Sequence, residues 1–232
     1  MVITKYYKKF IGFIERYGFG LSAPAYLVAY LVFFSILEKI NDDHYHIIHM
    51  AADDLIPFNE YFVIPYILWF LYVPAVIAYF IFSGKKREYM NTMVFLSTGM
   101  TIFLIISAIY PNGCHLRPTV FPRDNFFTSL VMKLYSIDTS TNIFPSIHVY
   151  NAIGAHLAVL HSEELSKSRI IRTGSFFLCL SIVLSTMLLK QHSVFDVATA
   201  LVLSVLMYVL VYVVDFQPMK QKEAVQRFRL SR

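Results

Sequence analysis

Residues 63–83 read VIPYILWFLYVPAVIAYFIFS and run straight into GKKR at 84–87. The stretch carries no charged side chain, and it is long enough to cross a hydrocarbon layer, which takes about 20 apolar residues. Pro65 and Pro74 do not argue against a helix here, because in a membrane bundle neighbouring groups satisfy the carbonyls that proline frees. Working outward, comparable apolar blocks fall at about 21–38, 92–109, 143–161, 171–189 and 194–215. The expected fold is therefore all-α, an integral membrane six-helix bundle. Composition agrees: 57% of residues are hydrophobic and 15% charged, against about 45–50% and about a quarter in soluble domains. A conventional soluble globule is excluded. The 232 residues fit one membrane domain over 21–215, between a basic, aromatic-rich interfacial lead-in at 1–20 and a basic tail at 216–232.

The formal charge of +5 would point to nucleic acid in a soluble chain. In a membrane chain it follows from Lys and Arg retained in cytoplasmic loops beside anionic lipid, so no nucleic-acid partner is expected. Fifteen of the twenty Lys and Arg fall in the lead-in, the 84–91 loop, the 162–172 segment and the tail. The other five are Lys39, Arg117, Arg123, Lys133 and Lys190. Both termini are accordingly expected to be cytoplasmic, and the loops 39–62, 110–142 and 190–193 to face outward. A compact chain of this kind fits a bacterial plasma membrane. The two cysteines, Cys114 and Cys179, give no disulfide framework.

Three polar groups lie at span ends on that outward side. Arg117-Pro118 follows the third span, Pro145-Ser146-Ile147-His148 opens the fourth, and Lys190-Gln191-His192-Ser193-Val194-Phe195-Asp196 turns the fifth into the sixth. His192 and Asp196 are four apart and share a helix face. A carboxylate on one imidazole nitrogen leaves the other as a lone-pair nucleophile; alternatively the pair simply caps a helix. Backbone N–H groups at a helix start bind phosphate, and His148 there is placed to act as a general acid. Arg117 offers a planar fork suited to a phosphoryl group, and Lys190 a second cation. The His-x-x-x-Asp spacing alone invites a zinc reading, but no further ligand set accompanies it.

Taken together, these segments resemble the type-2 phosphatidic acid phosphatase superfamily of membrane enzymes. The family's motifs are Lys, six residues, Arg-Pro; then Pro-Ser-Gly-His; then Ser-Arg, five residues, His, three residues, Asp. Arg117-Pro118 fits the end of the first, Pro145-Ser146-Ile147-His148 the second with Ile for Gly, and Ser185, His192 and Asp196 the third. The resemblance implies a phosphohistidine intermediate on His192, oriented by Asp196, with His148 protonating the leaving group. It implies that Arg117, Ser146 and the N–H of Ile147 hold the phosphoryl oxygens, that no metal or other cofactor is needed, and that the substrate is a lipid-linked phosphate ester or pyrophosphate at the extracytoplasmic face. Two family cations are missing, with Tyr110 at the first-motif Lys and Thr186 at the third-motif Arg. Lys190 restores one charge and resembles the lipid phosphotransferase branch, which includes sphingomyelin and inositol phosphorylceramide synthases. Three functions therefore stand: a lipid phosphatase; a transferase moving a phospho-headgroup between lipids, for which one negative charge on the substrate suits the thinner cation set; and a non-catalytic lipid-binding or transport protein on the same scaffold.

Overall fold

The helix over the deciding stretch, Val63–Phe82, continues a single 3-10 turn at Glu60–Phe62 and passes Pro74 unbroken. In the computed structural model, which describes residues 17–40 and 45–214, it is the third of eight helices. We number these α1 (Ser22–Ile40), α2 (Ala51–Leu55), α3 (Val63–Phe82), α4 (Lys86–Ile109), α5 (Phe126–Ile137), α6 (Ile147–His161), α7 (Arg169–Leu188) and α8 (Val194–Tyr208). The last runs on into a π-helical turn, Val209–Val213. Two short strands, β1 (His46–Ile47) and β2 (Asn112–Gly113), pair in parallel. Most of the expected lead-in, the acidic pair Asp42 and Asp43, and the basic tail lie outside the described residues.

Five of the helices, with their adjoining turns, are long and apolar enough to cross a membrane: Gly18–Ile40, Glu60–Phe82, Lys86–Ile109, Arg169–Leu188 and Val194–Val213. Their outer faces are bare of protein. Phe33, Phe70, Leu71, Phe177, Val202 and Val205 are each more than half exposed. A continuous apolar exterior of this size is untenable in water and suits lipid; this is a membrane protein of all-α class.

The expected fourth span differs. Residues 143–146 are not helical, the Phe144–Pro145 peptide is cis, and α6 has only 15 residues. At 1.5 Å per residue it rises about 22 Å, short of a hydrocarbon core about 30 Å thick. It is also the most enclosed helix, packed against α3, α4, α7 and α8, with Val149, Tyr150, Ala152 and Ala155 essentially inaccessible. Small residues bring it close to α4, as is common between membrane helices. A Cβ on Gly99 would lie 2.0 Å from the Tyr150 ring, and one on Gly154 2.7 Å from Phe95. Tyr150 Oη donates to the Phe95 carbonyl at 2.7 Å, fixing the same contact.

Two further expectations change. The 110–142 segment holds α5, and the 39–62 segment holds α2. Neither is long enough to register as a span, and both fold because the loops they belong to are tied down at one end of the bundle. Glu38, at the end of α1, accepts from Thr139, Thr141 and Asn142. Arg123 makes a two-pronged bond to the buried Glu60 carboxylate at 2.6 and 2.9 Å, joined there by Asn125. The Asn112 side chain accepts from the N–H groups of Ile143 and Phe144, both at 2.9 Å. With Tyr135 Oη donating to the Leu189 carbonyl and the Asn59 N–H to the Leu188 carbonyl, these bonds draw the segments 45–62, 110–146 and 189–193 into one cap, where the three polar groups meet.

Candidate functional site

His192 sits in the turn between α7 and α8. The Thr186 carbonyl accepts from the N–H groups of both Gln191 (3.0 Å) and His192 (3.1 Å), and Lys190 adopts a left-handed φ of 56°, so the chain reverses within a few residues. Ser193 then caps α8, its side chain accepting from Phe195 N and its own N–H donating to Asp196 Oδ2 at 2.9 Å. That cap sets the Asp196 carboxylate beside the His192 ring. His192 Nδ1 lies 3.5 Å from Asp196 Oδ2, within ion-pair range but longer than a hydrogen bond. Both His192 Nδ1 and Asp196 Oδ1 are buried without a hydrogen-bond partner. Contacts of this kind commonly tighten only when substrate is bound.

His148 enters on the first turn of α6, capped by Ser146, whose hydroxyl accepts from Val149 N at 3.4 Å. Its ring is held between Tyr66 and Trp69 of α3, with centroids 4.5 and 4.4 Å away, and faces His192 at 5.7 Å between centroids. A nucleophile in near-attack position sits about 3–3.5 Å from its target, and a general acid reaches a leaving oxygen at about 2.6–3.2 Å. The imidazoles are 44 positions apart in sequence, yet their ring centroids lie only 5.7 Å apart.

Arg117 joins this cluster through its neighbours. Nη1 donates to the Tyr135 carbonyl at 3.1 Å, Nη2 to the Asp138 carbonyl and to Gln191 Oε1, both at 2.5 Å, and the guanidinium stacks 4.3 Å over the Tyr135 ring. Its Nε is buried and unpartnered, as is Trp69 Nε1. Buried N–H groups without partners are rare; here Trp69 packs on the His148 ring, and Arg117 bonds to Gln191, the residue before His192.

The other expected phosphate ligands are placed differently. Ser146 is fully buried and serves as the α6 cap. The Ile147 side chain packs with Tyr30 and Phe103, while its N–H opens α6. Lys190 Nζ donates to the Asp53 carbonyl at 2.6 Å, so its charge sits over α2 and the α8 start. Of the two positions where the resemblance lacks a cation, Tyr110 stacks on His46 at 4.3 Å, and Thr186 bonds back to the Val183 carbonyl. Among the described residues no group of three or more His, Cys, Asp or Glu is placed to hold a metal ion.

Four residues of the site were not singled out from sequence. Asp53, 2% exposed, accepts from Ser193 Oγ and Val194 N, both at 2.7 Å, and so caps α8 from outside its own chain segment. Asp138, Tyr66 and Gln191 form a linked set: Tyr66 Oη donates to Asp138 Oδ2 at 2.5 Å and lies 3.4 Å from His148 Nδ1, and Gln191 Nε2 approaches the same carboxylate oxygen at 3.3 Å. Gln191 bridges Arg117 and Asp138 and directly precedes His192, a neighbour relation visible in sequence. Asp138 and Tyr66 carry no comparable local signal. Cys114 is also buried here, and burial pushes its thiol up to about 11, which removes it as a nucleophile near neutral pH. No protein-family model, curated protein or solved structure matches the chain.

Proposed function

We propose that this chain is a six-span membrane enzyme that cleaves a lipid-linked phosphate ester or pyrophosphate through a phosphohistidine intermediate, with both termini cytoplasmic and the site at the outer face of a plasma membrane. The observation that carries the reading is the 5.7 Å approach of the His148 and His192 rings, with the half-buried Arg117 guanidinium bonded to Gln191, the residue before His192. The count of six follows if α6 is a span, and its connections favour that: it begins in the site cap and ends at the Glu163–Glu164 turn, which bonds to Lys85 beyond the far end of α3. Its shortness is offset by the non-helical residues 143–146, which carry the chain into the bundle. The excess of Lys and Arg on the loops away from the site sets the orientation.

In the first step, His192 uses the nitrogen turned away from Asp196. Its lone pair forms an N–P bond as the P–O bond to the leaving group breaks, and the leaving oxygen takes the Nε2 proton of His148. Asp196 stabilises the imidazolium character that develops on His192. In the second step, an acceptor hydroxyl gives its proton to His148 Nε2 and its oxygen bonds to phosphorus. The N–P bond breaks, and its electron pair returns to His192. Arg117 Nε and Trp69 Nε1 are donors for the charge on the phosphoryl oxygens.

One observation favours transfer from a phosphodiester over hydrolysis of a monoester. Asp53, Asp138 and Asp196 bring three carboxylates to the site cluster against the two cations Arg117 and Lys190, and both Nη atoms of Arg117 are already engaged. A singly charged diester is better matched to that balance than a dianion. The test is purified protein in lipid nanodiscs, given phosphatidate, a polyprenyl pyrophosphate, or a labelled phospholipid with a lipid alcohol. Inorganic phosphate release supports hydrolysis, and a headgroup appearing on the alcohol supports transfer. Neither product with any donor, and no change on His192→Ala, would instead favour a lipid-binding or transport role.

A further inference from the structure

Beside the two imidazoles stands a carboxylate that the two-step chemistry does not use. We infer that Asp138 and Tyr66 are positioning residues for His148, forming a carboxylate–phenol–imidazole chain that holds the ring with Nδ1 protonated and Nε2 turned to the reacting oxygen. The inference rests on the phosphoryl-transfer reading above.

The argument is a proton count. A tyrosine hydroxyl has one proton to donate and lone pairs to accept with. Tyr66 Oη is 2.5 Å from Asp138 Oδ2 and 3.4 Å from His148 Nδ1. An ionised carboxylate only accepts, so the phenol proton goes to Asp138. The phenol oxygen is then left with acceptor capacity alone, and the neighbour facing it must donate. That neighbour is His148 Nδ1, which therefore carries a hydrogen. In neutral imidazole, one N–H leaves the other nitrogen as the lone pair, here Nε2. This is the tautomer a shuttle needs: Nε2 takes a proton from the acceptor in one half-reaction and gives it to the leaving oxygen in the other, while Nδ1–H stays put.

The surroundings hold each member in place. Tyr66 has no exposed surface, so its hydroxyl cannot turn to solvent. Asp138 ends α5, its N–H bonded to the Leu134 carbonyl. Its backbone carbonyl accepts from Arg117, and Gln191 Nε2 lies 3.3 Å from its carboxylate. Trp69 covers the other side of the imidazole. The arrangement parallels the Asp196–His192 pair, except that a phenol is inserted between carboxylate and ring. A direct carboxylate contact would also hold the transferable proton on His148 more tightly; the inserted phenol orients the ring with less charge.

The test separates proton donation from folding by leaving group. Turnover is measured on two phosphate esters matched except for the alcohol lost, one alkyl and one p-nitrophenyl, because a good leaving group needs little help from an acid. Tyr66→Phe keeps the ring stack and removes the hydroxyl. It is expected to lower kcat on the alkyl ester roughly tenfold to a hundredfold, with a change below about threefold on the p-nitrophenyl ester and little change in KM. Asp138→Asn is expected to act in the same direction, and His148→Ala to show the same selectivity more strongly. Equal losses on both esters in Tyr66→Phe and Asp138→Asn, with the wild type active, would overturn the relay while leaving the phosphoryl reading intact. A wild type inactive on every phosphate ester would overturn the reading itself, and the relay with it.

Discussion

The two ends of this bundle both collect histidine, tyrosine and carboxylate, yet they are built to opposite rules. At the end away from the site, Lys85 pairs with Glu164 at 2.8 Å, Tyr79 donates to the same carboxylate, and the Glu163 N–H donates to Glu88. Glu163 and Glu164 are well exposed, and Lys85 holds the Glu164 carboxyl below its usual range. The single imidazole there, His161, stacks on Tyr212 at 4.3 Å, with Nδ1 3.0 Å from the Leu157 carbonyl. Glu88 and Tyr212 leave oxygens unpaired, but they line a cavity of about 20 Å³, room for one water molecule. At the site end Asp53 and Asp196 are buried, two imidazoles approach one another, and the unpaired groups are Trp69 Nε1, Arg117 Nε, His192 Nδ1 and Asp196 Oδ1, from three separate stretches of chain. Polar residues at a membrane edge do not make a site by number. What distinguishes the site end is a pair of imidazoles whose centroids lie 5.7 Å apart beside buried carboxylates.

That contrast can be broken by substitution. The largest effect is expected for His192→Ala, which removes the proposed nucleophile and should lower turnover at least about a thousandfold; steady-state kinetics with either donor class measures it. Arg117→Lys comes next, with a loss of roughly tenfold to a hundredfold, because an ammonium cannot hold the Tyr135, Asp138 and Gln191 partners of the fork. Gly99→Val tests the frame that both ends share. With a Cβ 2.0 Å from the Tyr150 ring, α6 must move off α4, and thermal unfolding in detergent should fall by several degrees, activity declining with it. Glu164→Gln breaks the exposed pairing at the far end and should change turnover by less than about twofold. If it matched the loss from Arg117→Lys, the distinction between the ends would fail. Smallest of all, alkylation of folded protein at pH 8 should leave Cys114 unmodified, since a thiol raised to about 11 and 2% exposed offers little thiolate; unfolding should release it.

The apolar blocks that became α1, α3, α4, α7 and α8 were readable because each is a run near 20 residues long, a signal that needs no tertiary knowledge. The 143–161 block also read as a span, but its helix, Ile147–His161, is short and enclosed. The sequence pattern could not reveal that, since the small residues which bury α6 are also apolar. The α5 run is equally apolar at half the length, and its fold depends on Glu60, 65 positions before the Asn125 that caps it. In the site, His148, His192, Asp196 and Arg117 were legible as motif positions, and the structure brings them into one cluster. Asp138 and Tyr66 were not, because they meet in a contact spanning 72 positions between the end of α5 and the first turn of α3. Lys190 was legible as a charge, but the direction of its side chain was set by Asp53, on a short helix that has no strong local signal.

The account depends on phosphorus becoming bonded to one imidazole. Rapid quench at alkaline pH during turnover of a labelled donor, followed by peptide mass spectrometry, tests this directly. The account predicts a base-stable, acid-labile phosphoryl group on His192, absent in His192→Ala. Turnover without label on any histidine, or label on His148 alone, would contradict it.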